Sequence, residues 1–298
     1  MFKTGYVAIV GKPNAGKSSL INALIKEKVA IISSKPQTTR DNILGILTSE
    51  DYQIVFVDTP GIHHSKNSLD RAMMKNVRSA VSGVDLILYL LDGTKLPDQE
   101  EIDYINHLEV PVVIVRTKID LPKQKNFDDD IKISSLTGEN LDKLLDLILS
   151  KMPENKEKSY IYDPDYYTDK SVKFIISEEI REKALNLLHQ EIPHGIAVEI
   201  IRFYEKENIV EIDADIVCEQ ERHKGMIIGK GGKVLKEIGS LTRNFAENLL
   251  NNLMESYKKS DEKLSEKSKE NSGLEWVKLM NNYKNTAEEI ILKELIYV

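Results

Sequence analysis

Residues 6–25, YVAIVGKPNAGKSSLINALI, set a glycine loop between an apolar, β-branched run and a segment with helical spacing. The loop, Gly11-Lys12-Pro13-Asn14-Ala15-Gly16-Lys17-Ser18, fits G-x-x-x-x-G-K-[ST] and has the strand–loop–helix context that the pattern requires. Glycines let backbone N–H groups converge on phosphate oxygens, and the helix start adds partial positive charge. In such a loop Lys17 neutralises the β- and γ-phosphates and Ser18 binds Mg²⁺. A chance glycine turn would not be flanked in this way. The loop therefore predicts a nucleoside triphosphate site on an α/β sheet.

The same alternation runs to about residue 152. QIVFVDTPG, VDLILYLLDG and VPVVIVRTKID are apolar on successive residues, and helix-like stretches such as ENLDKLLDLILSKM separate or follow them. Strands apolar on both faces imply a mostly parallel sheet covered on each side by helices. We place this α/β P-loop domain at 1–155. The polar, tyrosine-rich 156–170 reads as a linker, and 171–298 as a second, smaller domain. There Ile176, Ile180, Ala184, Leu187 and Leu188 recur at helical spacing. Val210, Ile212, Ala214, Ile216 and Cys218 alternate as in a half-buried strand, with IAVEIIRFYE as its antiparallel partner. This second domain is therefore α+β. Residues 256–273, charged and serine-rich, read as a disordered surface insertion.

The P-loop alone does not choose a base. Asp58, ending an apolar strand in VFVDTPG, is placed to hold the Mg²⁺ shell through water, with Thr59, Pro60, Gly61 and Ile62 following and Gly61 free to approach the γ-phosphate. TKID, Thr117-Lys118-Ile119-Asp120, ends another strand, where ligands collect on open α/β sheets. Asp120 can accept two hydrogen bonds from guanine, N1–H and the exocyclic amine; adenine offers no such pair. Ser134, Ser135 and Leu136 form a turn whose backbone can touch the base oxygen. A kinase or ATPase would share the P-loop, and Asp120 is the residue that separates these readings.

In this order these motifs resemble the translation-factor-related class of GTPases, with Thr117 and Ser135 in place of the usual asparagine and alanine. The resemblance implies that KPQTTRD, 35–41, is switch I, with Thr39 (Thr38 as second choice) reaching Mg²⁺ and the γ-phosphate in the GTP state. It makes Lys17, Thr39, Gly61 and Asn14 the catalytic set, and Ser18, Thr39 and Asp58 the metal set. Asn14 matches a residue that helps hold K⁺ near the phosphates in related GTPases. Ile62 stands where many small GTPases place a water-orienting glutamine, so slow unaided turnover is expected. His63 and His64 read as solvated loop histidines.

The second domain carries GMIIGKGGKVLKEIG, whose Ile228-Gly229-Lys230-Gly231-Gly232 fits I-G-x-x-G before a helical run. It resembles the KH module (type II), whose glycine turn clamps single-stranded RNA backbone. The net charge of −7 argues against a chain basic all over. Yet Arg222, Lys224, Lys230, Lys233, Lys236 and Arg243 face only Glu221 and Glu237 over 221–243, a local excess of four positive charges with His223 neutral. We expect RNA contacts from Lys224, Ile227, Ile228, Gly229, Lys230, Gly231, Gly232, Lys233 and Lys236, the isoleucines lining an apolar groove. The two glycine loops hold different anions.

A GTPase of this class followed by one KH module resembles the Era family of bacterial ribosome-assembly GTPases. SEEIREKALNLLHQEIPHGIAVEI at 177–200 matches the family's junction and LEWVKL at 274–279 its last strand. The resemblance implies GTP and GDP as ligands, Mg²⁺ and K⁺ as ions, and the 3′ end of small-subunit ribosomal RNA on the assembling subunit as partner. It also implies a monomer with peripheral association at the inner face of the cell membrane. The single cysteine, Cys218, excludes a disulfide framework and fits a reducing, cytoplasmic setting. A passive RNA tether with a degenerate switch is the rival from another class.

Overall fold

A computed structural model describes residues 1–33, 38, 42–61, 83–122, 124–125, 128–188, 195–206 and 209–245. Thr39, Ile62, His63, His64, the 256–273 insertion and the 274–279 strand lie outside the described residues. The chain forms two units, Met1–Lys170 and Ser171–Val298.

In the first unit β1 (Phe2–Gly11) feeds the glycine loop and α1 (Lys17–Ile25). β2 (Ile43–Thr48), β3 (Tyr52–Asp58), β4 (Leu86–Asp92), α2 (Gln99–Asn106), β5 (Val112–Thr117), β6 (Ile131–Lys132), α3 (Leu141–Lys151) and β7 (Glu154–Asn155) follow. The strand order is β2-β3-β1-β4-β5-β6, with β7 paired to the start of β1. All pairings are parallel except β2 with β3 and β7 with β1. Val7, Ala8, Ile9 and Val10 of β1 are all fully buried. Neighbouring residues of a strand point to opposite faces, so both faces are covered. Val7, Ile9 and Val10 each contribute about 1.5–3 kcal/mol of burial. The carboxyl ends of β3 and β1 are adjacent, that of β5 lies one strand farther along beyond β4, and each of the three carries one of the motifs.

The 156–170 stretch expected as a linker is held to this unit from 160 to 169. Gln53 of β3, fully buried, accepts from the Ile161 and Tyr162 amides (2.7 and 2.9 Å) and donates to the Tyr162 carbonyl (2.9 Å) and the Thr48 hydroxyl (2.9 Å). Farther along, the Tyr167 carbonyl accepts from Ile46 N–H at 2.8 Å and Asp169 Oδ1 from Leu44 N–H at 3.2 Å. Tyr160 packs edge-on against Phe2, with ring centroids 5.1 Å apart. This strap fills the hydrogen-bonding edge that β2 would otherwise expose.

The second unit opens with α4 (Val172–Leu187), capped by Ser171 Oγ accepting from Phe174 N–H at 3.3 Å. Next come β8 (Ile196–Lys206), β9 (Ile209–Cys218), α5 (Glu221–Ile228) and a 3₁₀ turn at Lys230–Gly232, then a helix from 233 to at least 245. β8 and β9 pair antiparallel, with a bulge between Ile200 and Arg202. Ile176, Ile180, Ala184 and Leu188 pack with Ile196, Phe203, Ile227 and Ile238 into one core.

Candidate functional site

Where β1 ends, the glycine loop curls around the ammonium of Lys17. Its Nζ donates to the Gly11 and Lys12 carbonyls at 3.1 and 3.0 Å. The side chain is buried, so desolvation pushes its pKa down to about 8, the Asp58 charge opposing that fall. A cation so poorly solvated is primed for phosphate oxygens. Ser18, the next residue on α1, donates its hydroxyl to Asp58 Oδ2 at 2.7 Å. Asp58 is fully buried at the end of β3, and the hydroxyl and carboxylate together form a pair of hard oxygen donors. Gly61 lies against the loop so closely that a Cβ there would stand 2.6 Å from the Pro13 nitrogen. No side chain fits at that position. The backbone of DTPG therefore reaches the phosphate loop.

Two expected ligands use their side chains otherwise. Thr59 donates to the Ile9 carbonyl at 2.8 Å, tying β3 to β1. Lys12 turns its ammonium to Asp98 and to Glu101, the latter at 3.0 Å. Those carboxylates form the capping box of α2, which concentrates negative charge beside the loop. Only the Lys12 carbonyl faces inward. Asn14 is exposed on the loop with φ of 63°, and Ala15 is buried beneath it.

The base end is built on β5. Thr117 is buried and donates to the Ala15 carbonyl, so it bridges TKID to the phosphate loop. Lys118 pairs with Asp92 Oδ2 at 2.8 Å. Burial raises the Asp92 pKa, but the hydrogen bonds from Lys118 and Thr94 outweigh it, and the group is held below the usual carboxylate range. Asp120 is exposed at the rim, and Ser134 donates to its Oδ1 at 2.6 Å while accepting from Thr137 N–H at 3.1 Å. Ser135 is half-buried and Leu136 exposed beside it; Ile119 N–H joins this turn to TKID through the Ile133 carbonyl at 3.3 Å. Beneath them Arg116, buried in β5, pairs with Asp129.

Ser134, expected through its backbone, also contributes its hydroxyl to Asp120, and Asp92, Asp98 and Glu101 were not legible as site residues. Their signal was weak: a short polar residue ending a strand, and D-x-x-E ahead of a helix.

In the second unit Gly229, Gly231 and Gly232 have φ of 72°, 62° and 74°. A Cβ on Gly229 would stand 2.5 Å from Val234 Cγ2, whereas Gly231 and Gly232 face open space. This leaves a turn with bare backbone on its outer side. Arg222, Lys224, Lys230, Lys233, Lys236 and Arg243 are all exposed around it. One expectation is corrected: Ile227 is only 4% exposed and packs in the core. It lies four residues after the buried His223, on the inward face of α5, so it cannot line a groove. Met226 and Ile228, at 47% and 38% exposure, are exposed apolar side chains of α5 just before the turn.

Three family models match. Residues 6–118 match a family described as 50S ribosome-binding GTPase, and residues 191–257 match the KH domain. Residues 229–296 also match the transposon-encoded protein TnpV, overlapping the KH match over 229–257. GTPase Era of Clostridium botulinum strain Eklund 17B is 39% identical over 318 aligned positions, covering 100% of this chain and 99% of that relative. GTPase Era of Clostridium acetobutylicum is 43% identical over 266 positions, covering 84% and 89%. Among solved structures, Era in complex with MgGDPNP and nucleotides 1506–1542 of 16S ribosomal RNA superposes with a TM-score of 0.77 at 35% identity, covering 84% of this chain and 90% of that one. An Aquifex aeolicus Era variant bound to GDP and AlF₄⁻ gives the same score and coverage at 36% identity.

Proposed function

Because this chain belongs to the Era family of GTPases, we propose that it binds GTP in its first unit, hydrolyses it slowly to GDP and phosphate, and holds the 3′ end of small-subunit ribosomal RNA with its second unit during subunit assembly. One observation carries the reading. Lys17, the Ser18–Asp58 pair and Asp120 follow or end β1, β3 and β5 on the carboxyl edge of one sheet, and Thr117 reaches past β4 to join the base motif to the phosphate loop.

Lys17 and the loop amides bind the phosphates, while Asp120, oriented by Ser134, accepts the two guanine donors. Ser18, Asp58 and Thr39 are the residues that would hold Mg²⁺, whose chemistry is to neutralise charge on the β- and γ-phosphate oxygens. Gly61 brings its backbone N–H to the γ-phosphate side of the loop. Isoleucine at position 62 cannot orient a water, which supports turnover below about one per minute without a partner. Asn14 offers an amide oxygen to K⁺, and faster hydrolysis in potassium than in matched sodium buffer is the expected mark of that ion. Bound GTP orders switch I and sets the state in which the KH turn takes RNA; hydrolysis releases it. Peripheral attachment to the inner membrane face rests on the family alone, and liposome co-sedimentation tests it.

RNA crosslinking read at nucleotide resolution, with GDP and GDPNP arms, tests the whole. Crosslinks from 225–236 should fall on the 3′ end of 16S ribosomal RNA and differ between arms. Equal RNA affinity in both arms would reduce the protein to a passive tether, and ATP bound as tightly as GTP would remove the GTPase.

A further inference from the structure

At the carboxyl edge of the sheet, Asp92 of β4 stands in register with Thr117 of β5. Its two oxygens divide the work. Oδ1 accepts from the Thr94 amide at 3.0 Å and the Thr94 hydroxyl at 2.6 Å, and Oδ2 accepts from Lys118 Nζ at 2.8 Å. The backbone repeats the link: Gly93 N–H donates to the Thr117 carbonyl at 3.0 Å, and a Cβ on Gly93 would stand 2.7 Å from that same oxygen. The 92–94 turn is thus pressed against TKID. Lys118 also has φ of 59°, a left-handed backbone that a non-glycine residue keeps only when its surroundings hold it.

A free lysine samples many rotamers, and freezing one weakens whatever binding event needs it. We propose that Asp92 is a positioning residue for guanine-nucleotide binding, fixing the Lys118 side chain and the TKID turn before the nucleotide arrives. The inference rests on TKID being the base site. Asp92 touches neither base nor phosphate; it acts through Lys118, with Thr94 holding the carboxylate in one rotamer. The ion pair is shielded, its side chains 31% and 14% exposed, so it escapes much of the screening that empties surface pairs.

A double-mutant cycle on the full-length chain tests this, with Kd for fluorescent GDP and steady-state GTP hydrolysis as readouts. Asp92→Asn should weaken GDP by about fivefold, the cost of leaving one long side chain to be ordered on binding. The loss should appear in KM, with kcat changed less than KM. In a Lys118→Met background the same substitution should add less than about twofold. Thr94→Val, which leaves the charge in place, gives a milder loss of the same kind and guards against a misfolded Asp92→Asn protein, which thermal unfolding would expose. Unchanged or tighter GDP binding by Asp92→Asn, or losses that multiply in the double variant, would overturn the inference while leaving the GTPase reading standing. Full affinity in Lys118→Met alone would instead take down the assignment of TKID as the base site, and this inference with it.

Discussion

The Thr117 hydroxyl donates to the Ala15 carbonyl at 2.7 Å, and the Leu91 carbonyl lies 3.2 Å away as a second acceptor. One buried hydroxyl thereby fastens the base motif to the phosphate loop across 102 positions of sequence. An asparagine is usual at this place in the class, and threonine keeps the donor. Thr117→Val preserves volume but orphans buried carbonyls, at a cost of about 1–3 kcal/mol. GDP affinity should fall roughly tenfold by titration, and Thr117→Asn should retain it. A Thr117→Val protein with full affinity would show that the bridge is ornamental.

Lys17 makes nucleotide binding sensitive to alkali. Its pKa in the free protein is about 8 because burial strips its water, and phosphate charge raises that value on binding. The bound state then holds more protons than the free state above pH 8, so affinity is full below that pH and declines as pH rises toward the bound value. Calorimetry at pH 8.5 in buffers of different ionisation enthalpy should report net proton uptake on GDP binding. Lys17→Arg, which does not titrate in this range, should abolish the uptake.

Much of this was legible in the sequence because local rules and global packing agree. The apolar β1 run, the glycine spacing and Ser18 at the start of α1 can hardly mean anything else, and the alternation of Ile212, Ala214 and Ile216 fixed one face of β9. What escaped notice depended on long-range pairing. The pairing of the Lys12 ammonium with Asp98 and Glu101 depends on α2, 86 residues farther along the chain. Ile227 and Ile228 are equivalent as letters, and only the turn of α5 buries one and exposes the other. The 160–169 strap looked like a linker because its partners, Gln53 and the edge of β2, lie more than a hundred residues earlier.

Gln53 should be the strap's weakest point to attack. All four hydrogen-bonding valences of its amide are used, three of them on the backbone of Ile161 and Tyr162. Gln53→Leu fits the space but leaves those groups unpaired, a loss of about 3 kcal/mol. Chymotrypsin should then cut at Tyr160, Tyr162, Tyr166 or Tyr167 well before the unmodified chain is touched. An equally slow digestion would mean that the Tyr167 and Asp169 contacts hold the strap unaided.

The glycine turn of the second unit separates charge from shape, so two variants should fail in different ways. Lys230 and Lys233 are exposed, and neutralising both as Lys230→Gln and Lys233→Gln leaves the fold intact. If both meet phosphate, the salt slope of RNA binding falls by about 1.4, at roughly 0.7 per contact for a single strand. Gly229→Ala neither adds nor removes charge. Its methyl group runs into Val234 at a backbone φ of 72°, so the cost falls on stability, about 1–3 kcal/mol, with the salt slope preserved. Filter binding of a 16S 3′-end RNA across a potassium chloride series, alongside thermal unfolding of each variant, resolves the two effects. A salt slope unmoved by the double neutralisation would place the RNA elsewhere on this unit and leave the basic island as mere solvation.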